Sequence, residues 1–344
     1  MGTTLSPFVY VKRSTLQCRA LGRSLQSLWR TRYSVPPMTR TVFERRLQQL
    51  DPVLREVADY PCIKERINLI RDLETTFAGP KQPPTWVMST GRCGTRAFHE
   101  FLEHSQTVKS YHRGQTVNCG FAERNEMLYR LVYGGLDVDF VRAAAVRFFS
   151  ANLDDLAYSL RTRRQYVVVH HGYTIFAPLA AMLFPRSQFI HLRRDPQEVL
   201  ESFISKDQYR GQLEPLYVDT GFVGSGRRYK SHRENFRYLR SPWPVYKKVL
   251  WYIHVTNAFA EAFVDLIGPE RSLLIESRAL FAGDQECFRK LAERLAIGDL
   301  TSGQFREHFA RPVNAKLHRR HGSASGLQAS IGGMLARLAQ TGHF

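Results

Sequence analysis

The sequence predicts an α/β fold in which a parallel sheet is covered by helices on both faces. Two observations predict it. Short apolar runs of strand length alternate with longer stretches whose apolar residues recur at three- and four-residue steps. A Gly-containing turn joins the first such run to a helical pattern, and an Asp-Pro pair joins a later run to another. At 344 residues, 43% of them apolar and 23% charged, the chain has the composition of a globular protein and the length for one large core.

Taken in order, residues 1–40 form a basic extension rich in Arg, Ser and Leu. Residues 41–83 read as a helical segment of two helices. Phe43, Leu47, Leu50, Leu54 and Val57 mark the first, and Ile63, Ile67, Ile70 and Leu73 mark the second, after Pro61. Pro83-Pro84 then leads into an α/β domain over residues 84–300. Its strands are expected at Trp86–Met88, Tyr166–Val169, Gln188–Leu192 and Ser272–Ile275. Its helices are expected after Gly94, through 123–164, after Asp195, over Val249–Ile267 and over Ala282–Leu295. Residues 301–344 form a basic C-terminal segment.

The longest apolar run, Ile175–Pro185, has 11 residues, and a membrane span needs roughly 20. The five cysteines (Cys18, Cys62, Cys93, Cys119 and Cys287) are scattered and odd in number. They indicate neither a disulfide framework nor a zinc ribbon, and point to reduced thiols in the cytoplasm. The net charge is +18, and 12 of these charges come from residues 1–40 and 301–344. Basic ends can hold nucleic acid, an anionic membrane surface or an anionic substrate. The acid-free start also resembles an organelle transit peptide, and Met1-Gly2 with Ser6 fits a myristoylation pattern.

Two motifs carry chemistry. The first is Ser89-Thr90-Gly91-Arg92-Cys93-Gly94-Thr95-Arg96, a strand-to-helix turn that would aim backbone N–H groups at an anion. No Lys follows the second Gly, so the nucleotide-triphosphatase loop is not matched and a kinase is disfavoured. The second is Arg193-Arg194-Asp195-Pro196 after a strand, with Ser202 eight residues beyond Arg194. In parallel sheets the ligand crevice lies at the carboxyl ends of the strands, where such an Arg sits.

Together the motifs resemble those of the sulfotransferase superfamily that uses 3′-phosphoadenosine 5′-phosphosulfate, of bacterial type, across about residues 84–296. The resemblance implies a three-layer α/β/α domain of the P-loop-NTPase-like class. It also implies that Gly91, Arg92, Cys93, Gly94, Thr95 and Arg96 cradle the 5′-phosphosulfate and that Arg194 and Ser202 hold the 3′-phosphate. Cys93 stands where Ser is common and Arg96 where a second Thr is common. The loss of a hydroxyl donor at Cys93 is offset, on this reading, by the charge of Arg96. Lys316, Arg319 and Arg320 loosely match the family's closing basic segment.

Sulfuryl transfer demands in-line geometry and charge stabilisation rather than a metal, and no metal is expected. Arg92 would steady the leaving phosphate. For the general base the resemblance offers His171 or His170, which lie 23 and 24 residues before Arg194. On strand alternation only one of the two would face the cleft. His112 is the next candidate, in a stretch where the tyrosine-modifying branch has Glu. The acceptor that the resemblance implies is a hydroxyl or amine of a carbohydrate, glycolipid or small metabolite. Over residues 222–252 eight aromatics interleave with Arg227, Arg228, Lys230, Arg233, Arg237 and Arg240, as a lid, an RNA-like stacking surface or a loop packed on its own domain. The alternative function is a catalytically silent nucleotide-binding module with basic RNA- or membrane-binding ends. Such a module would be expected to lack Arg92 or Arg194.

Overall fold

The computed structural model describes residues 40–76, 83–112, 152–205 and 245–310, all within one compact unit, Thr39–Ala315. The expectations for residues 1–39, for the helix before residue 152, for the interleaved segment before its last residues and for Lys316, Arg319 and Arg320 lie outside the described residues.

Helices α1 (Arg40–Ala58) and α2 (Pro61–Thr76) open the described chain. Leu54 and Val57 of α1 and Ile63, Ile67 and Ile70 of α2 are buried, as their spacing predicts. Then follow β1 (Thr85–Met88), α3 (Thr95–Leu102), β2 (Val108–Tyr111), helical residues 152–161 (α4) and β3 (Gln165–Val169). A 3-10 segment (His171–Phe176) runs into α5 (Ala177–Leu183), followed by β4 (Gln188–Arg193) and α6 (Pro196–Ser205). The described chain closes with α7 (Val245–Ile267), β5 (Ser272–Glu276), α8 (Ser277–Phe281), α9 (Gln285–Arg294) and α10 (Ser302–Ala310).

The five strands form one parallel sheet in the order β2-β3-β1-β4-β5. Every residue of β1 and of β3 is buried. Successive strand residues point to opposite faces, so both faces of the sheet centre are covered, as the alternating pattern predicts. Trp86 of β1 is 2% exposed and donates its indole N–H to Ser187 Oγ at 3.3 Å. Tyr166, Tyr173 and Phe184 pack around its ring. No helix among the described residues is long and apolar enough to cross a membrane.

The structure departs from the expected elements at four places. Strand β2 has four residues, too few to declare a period. Ser277–Phe281 forms a short helix, and Ala282 to Asp284 is a turn rather than the start of α9. There Asp284 Oδ1 accepts the Cys287 N–H at 2.7 Å and sets the first residue of α9 at Gln285. The segment after Val169 is a 3-10 turn and a helix. Ser302–Ala310, within the basic C-terminal segment, is a helix whose Phe305 and Phe309 pack on Phe101 of α3.

Topology sets the position of the site. Strand β1 lies between β3 and β4, and all three run in one direction. The segments leaving their carboxyl ends therefore meet at one edge of the sheet. These are Ser89–Gly94, His170-His171 and Arg194-Asp195, the motif residues of the sequence.

Candidate donor-binding site

The loop after β1 folds because three of its residues adopt left-handed backbone angles: Gly91 (φ 78°), Arg92 (φ 60°) and Gly94 (φ 92°). Glycine takes these angles at little steric cost; Arg92 does not. Gly94 is the N-cap of α3 and no side chain caps that end. The opening turn of a helix leaves N–H groups without an intrahelical partner.

The second motif closes on the first. Asp195 Oδ1 accepts the N–H groups of Gln197 (2.8 Å) and Glu198 (3.1 Å), so Asp195 caps α6 with Pro196 at its first position. This sets α6 so that Ser202, two turns on, faces the loop. Its Oγ accepts from Arg92 Nε at 3.2 Å and from Arg92 Nη2 at 2.9 Å. Arg194 donates from Nη1 to the Arg92 carbonyl at 2.9 Å and from Nε to Glu198 at 2.9 Å. Arg193, one residue earlier, is instead held between Glu261 and Glu276, the latter on β5. The strand ends there, and only Arg194 reaches the loop.

The three candidate histidines come to the same rim. His171 lies against Gly91, where a Cβ would sit 3.1 Å from the imidazole ring. His170 tilts against His171 at 4.4 Å between ring centroids, and His112 meets His170 edge-on at 6.0 Å. His112 Nε2 is 3.3 Å from Thr95 Oγ1. His99, which the motifs do not single out, stacks on His112 at 5.6 Å. Burial pushes its value below the ordinary histidine range, against the pull of Glu103 and Glu100. Strand alternation does not separate His170 from His171, because β3 stops at Val169 and the chain turns into the 3-10 segment. His170 Nδ1 accepts the Gly172 N–H at 3.1 Å.

Two loop positions behave differently from a simple anion contact. The Cys93 side chain is fully buried and turns back into the loop, 3.2 Å from the Gly91 carbonyl and 3.2 Å from Thr90 Oγ1. Burial pushes the thiol up, with the Thr90 hydrogen bonds opposing, so it stays protonated and can donate. Arg96 is exposed and pairs with Glu100 one turn along α3 at 2.7 Å. Its charge lies on the solvent face of the helix.

Three further residues reach the loop from behind. Thr174 Oγ1 is 2.9 Å from the Ser89 carbonyl and accepts the Ser89 N–H at 3.0 Å. Tyr252 of α7 is fully buried and donates to the Thr90 carbonyl at 2.9 Å. Ser277 of α8 donates to the Cys93 carbonyl at 2.6 Å. They lie 85, 162 and 184 residues from their partners, so no local spacing marks them. The sequence shows Tyr252 only as one of eight aromatics, and it packs onto the domain. Among the described residues, no group of three His, Cys, Asp or Glu side chains could hold a metal ion.

No protein-family model matches the chain, and no curated protein matches it. Solved structures similar to it include sulfotransferase STF9 from Mycobacterium avium, at 11% identity and a TM-score of 0.43 over 89% of this chain and 98% of that one. Another is the sulfotransferase domain of the Synechococcus PCC 7002 olefin synthase, at 15% identity and a TM-score of 0.39, covering 73% and 85%. A third is the sulfotransferase domain from the curacin biosynthetic pathway, at 14% identity and a TM-score of 0.41, covering 73% and 83%.

Proposed function

We propose that the chain is a sulfotransferase that moves a sulfonate group from 3′-phosphoadenosine 5′-phosphosulfate to a hydroxyl or amine of an acceptor. The observation that carries this reading is the junction of the two motifs. Arg92 is bonded to Ser202, and Arg194 is bonded to the Arg92 carbonyl, across 110 and 102 residues of sequence. A donor with phosphates at both ends of a nucleoside needs two anion sites held at a set separation. The loop over Gly91–Arg96 would supply one, and Arg194 with Ser202 the other.

The residues fit such a donor. On this reading backbone N–H groups of the loop meet the anion, while the Ser89, Thr90 and Cys93 carbonyls are held from behind. The guanidinium of Arg92 offers parallel N–H donors to an oxyanion pair. When bound, the donor supplies the sulfonate, and Arg92 together with the loop N–H groups would neutralise charge gathering on the departing phosphate. Arg194 and Ser202 would orient the far phosphate, fixing the register of the nucleotide against the loop.

The acceptor proton needs a base, and His171 is the residue we assign to it. His170 accepts the Gly172 N–H at Nδ1, so its neutral ring carries the proton on Nε2. Taking a second proton would break that cap. His171 lies directly over Gly91, at the place where an acceptor would approach the loop. An imidazole is the side chain most often used as a general base.

The test is isothermal titration of the full chain with 3′-phosphoadenosine 5′-phosphate, with adenosine 5′-phosphate as control, on the wild type and on Arg194→Ala. The expected result is binding that needs both the 3′-phosphate and Arg194. Equal binding of the two nucleotides, or none, would overturn the reading. An acceptor screen with His171→Ala follows, and retained turnover in that variant would remove His171 from the role.

A further inference from the structure

Five successive carbonyl oxygens of the loop, from Ser89 to Cys93, each meet a hydrogen-bond donor on a side chain. Thr174 serves Ser89, and Tyr252 serves Thr90. Thr90 and Cys93 themselves serve Gly91. Arg194 serves Arg92, and Ser277 serves Cys93. These donors come from the 3-10 segment, α7, the loop itself, the end of β4 and α8. We propose that Tyr252, seconded by Thr174 and Ser277, is a positioning residue of the anion loop. It holds the peptide plane between Thr90 and Gly91 so that the carbonyl faces the core and is kept away from the anion that the following N–H groups of the loop would meet.

The physical need is specific. A loop that binds phosphate through backbone N–H groups loses that ability when a neighbouring peptide plane turns over, because a carbonyl oxygen then faces the anion. The plane at greatest risk is the one flanking Gly91, whose φ of 78° lies in a region that glycine enters and leaves at little cost. The backbone angles do not settle that plane; Ser89 Oγ accepts its N–H at 3.1 Å, and a buried donor must hold its carbonyl. The Tyr252 hydroxyl is placed for this, on a side chain with no exposure. A buried carbonyl deprived of its donor would be driven to find another, and turning outward is one way to find water.

The proposal rests on the donor-site reading above, and its test separates the two. The full chain is titrated with 3′-phosphoadenosine 5′-phosphate and with adenosine 3′-phosphate, which lacks the group that the loop would hold. The proteins are the wild type, Tyr252→Phe and Ser277→Ala. If the aligned loop falls to about a tenth of the population, apparent affinity for the bisphosphate falls roughly tenfold. Affinity for the 3′-monophosphate, held by Arg194 and Ser202, is expected to stay unchanged. That loss of preference in Tyr252→Phe, with a smaller loss in Ser277→Ala, supports the proposal. An unchanged preference, or equal weakening of both ligands, gives Tyr252 a merely structural role and overturns it. Should Tyr252→Phe fail to fold, Ser277→Ala decides alone by the same ratio. A wild type that shows no preference for the bisphosphate overturns the donor-site reading itself, and the positioning role with it.

Discussion

His191, on β4 two residues before Arg193, is 1% exposed, and burial depresses its titration to about 4 from an ordinary 6.5. Arg193 pushes in the same direction, whereas Asn257 of α7 opposes. Neither His191 Nε2 nor Asn257 Oδ1 has a hydrogen-bond partner among the described residues. Because the folded value lies below the unfolded one, the unfolded chain binds more protons anywhere between them. Stability is therefore complete above about pH 6.5 and is lost as the pH falls toward 4. The separation amounts to about 3 kcal/mol at pH 4, a large part of what a domain commonly has. The assay is urea unfolding of the wild type and His191→Leu at intervals from pH 7 to pH 4. The leucine variant retains the titrations of all other groups. The difference between the two curves should grow by about 3 kcal/mol in favour of the variant as the pH falls. Parallel curves would show that His191 is solvated or already protonated in the fold, and would refute the reasoning.

Other expectations follow from the same geometry. Gly94→Ala places a Cβ 2.6 Å from the Phe281 ring at a φ of 92°; thermal unfolding should report a loss of about 1–3 kcal/mol. Gly91→Ala sets a methyl 3.1 Å from the His171 ring. It is expected to lower turnover more than nucleotide affinity, read as a fall in kcat with a smaller change in KM. Glu198 shares Arg194 with the proposed phosphate, and as an exposed ion pair it adds about 0–1 kcal/mol of stability. Glu198→Gln should thus leave the unfolding midpoint nearly unchanged while strengthening 3′-phosphoadenosine 5′-phosphate binding by a few-fold, measured by titration. Arg92→Lys removes the paired contact of one guanidinium with Ser202, and bisphosphate affinity should fall by roughly tenfold.

Much of this architecture is legible from local pattern. The apolar runs that become β1, β3 and β4 are buried on both faces, so continuous hydrophobicity marks them without knowledge of their neighbours; the run of β5 is as apolar, although at the sheet edge it leaves Leu274 exposed. Asp195-Pro196 announces the start of α6 because cap and first turn are local chemistry. Strand β2 and α8 escape detection, since four or five residues hold too little of any period and their burial is supplied by β3 and β5. His170 and His171 follow a strand, but their roles separate only through a cap on the 3-10 turn beyond it.

The sequence by itself determined the α/β class, the order of the principal elements and the two motifs, because propensity, capping and periodicity act within a few residues along the chain. The tertiary structure decided what those motifs face. It brought Ser202 onto Arg92, sent Arg96 out to Glu100 and turned the Cys93 thiol inward. It also recruited Thr174, Tyr252 and Ser277 behind the loop. The reason is physical: each buried carbonyl must find a donor wherever packing places one. Here that donor stands as many as 184 residues away, at a distance along the chain where no spacing rule operates.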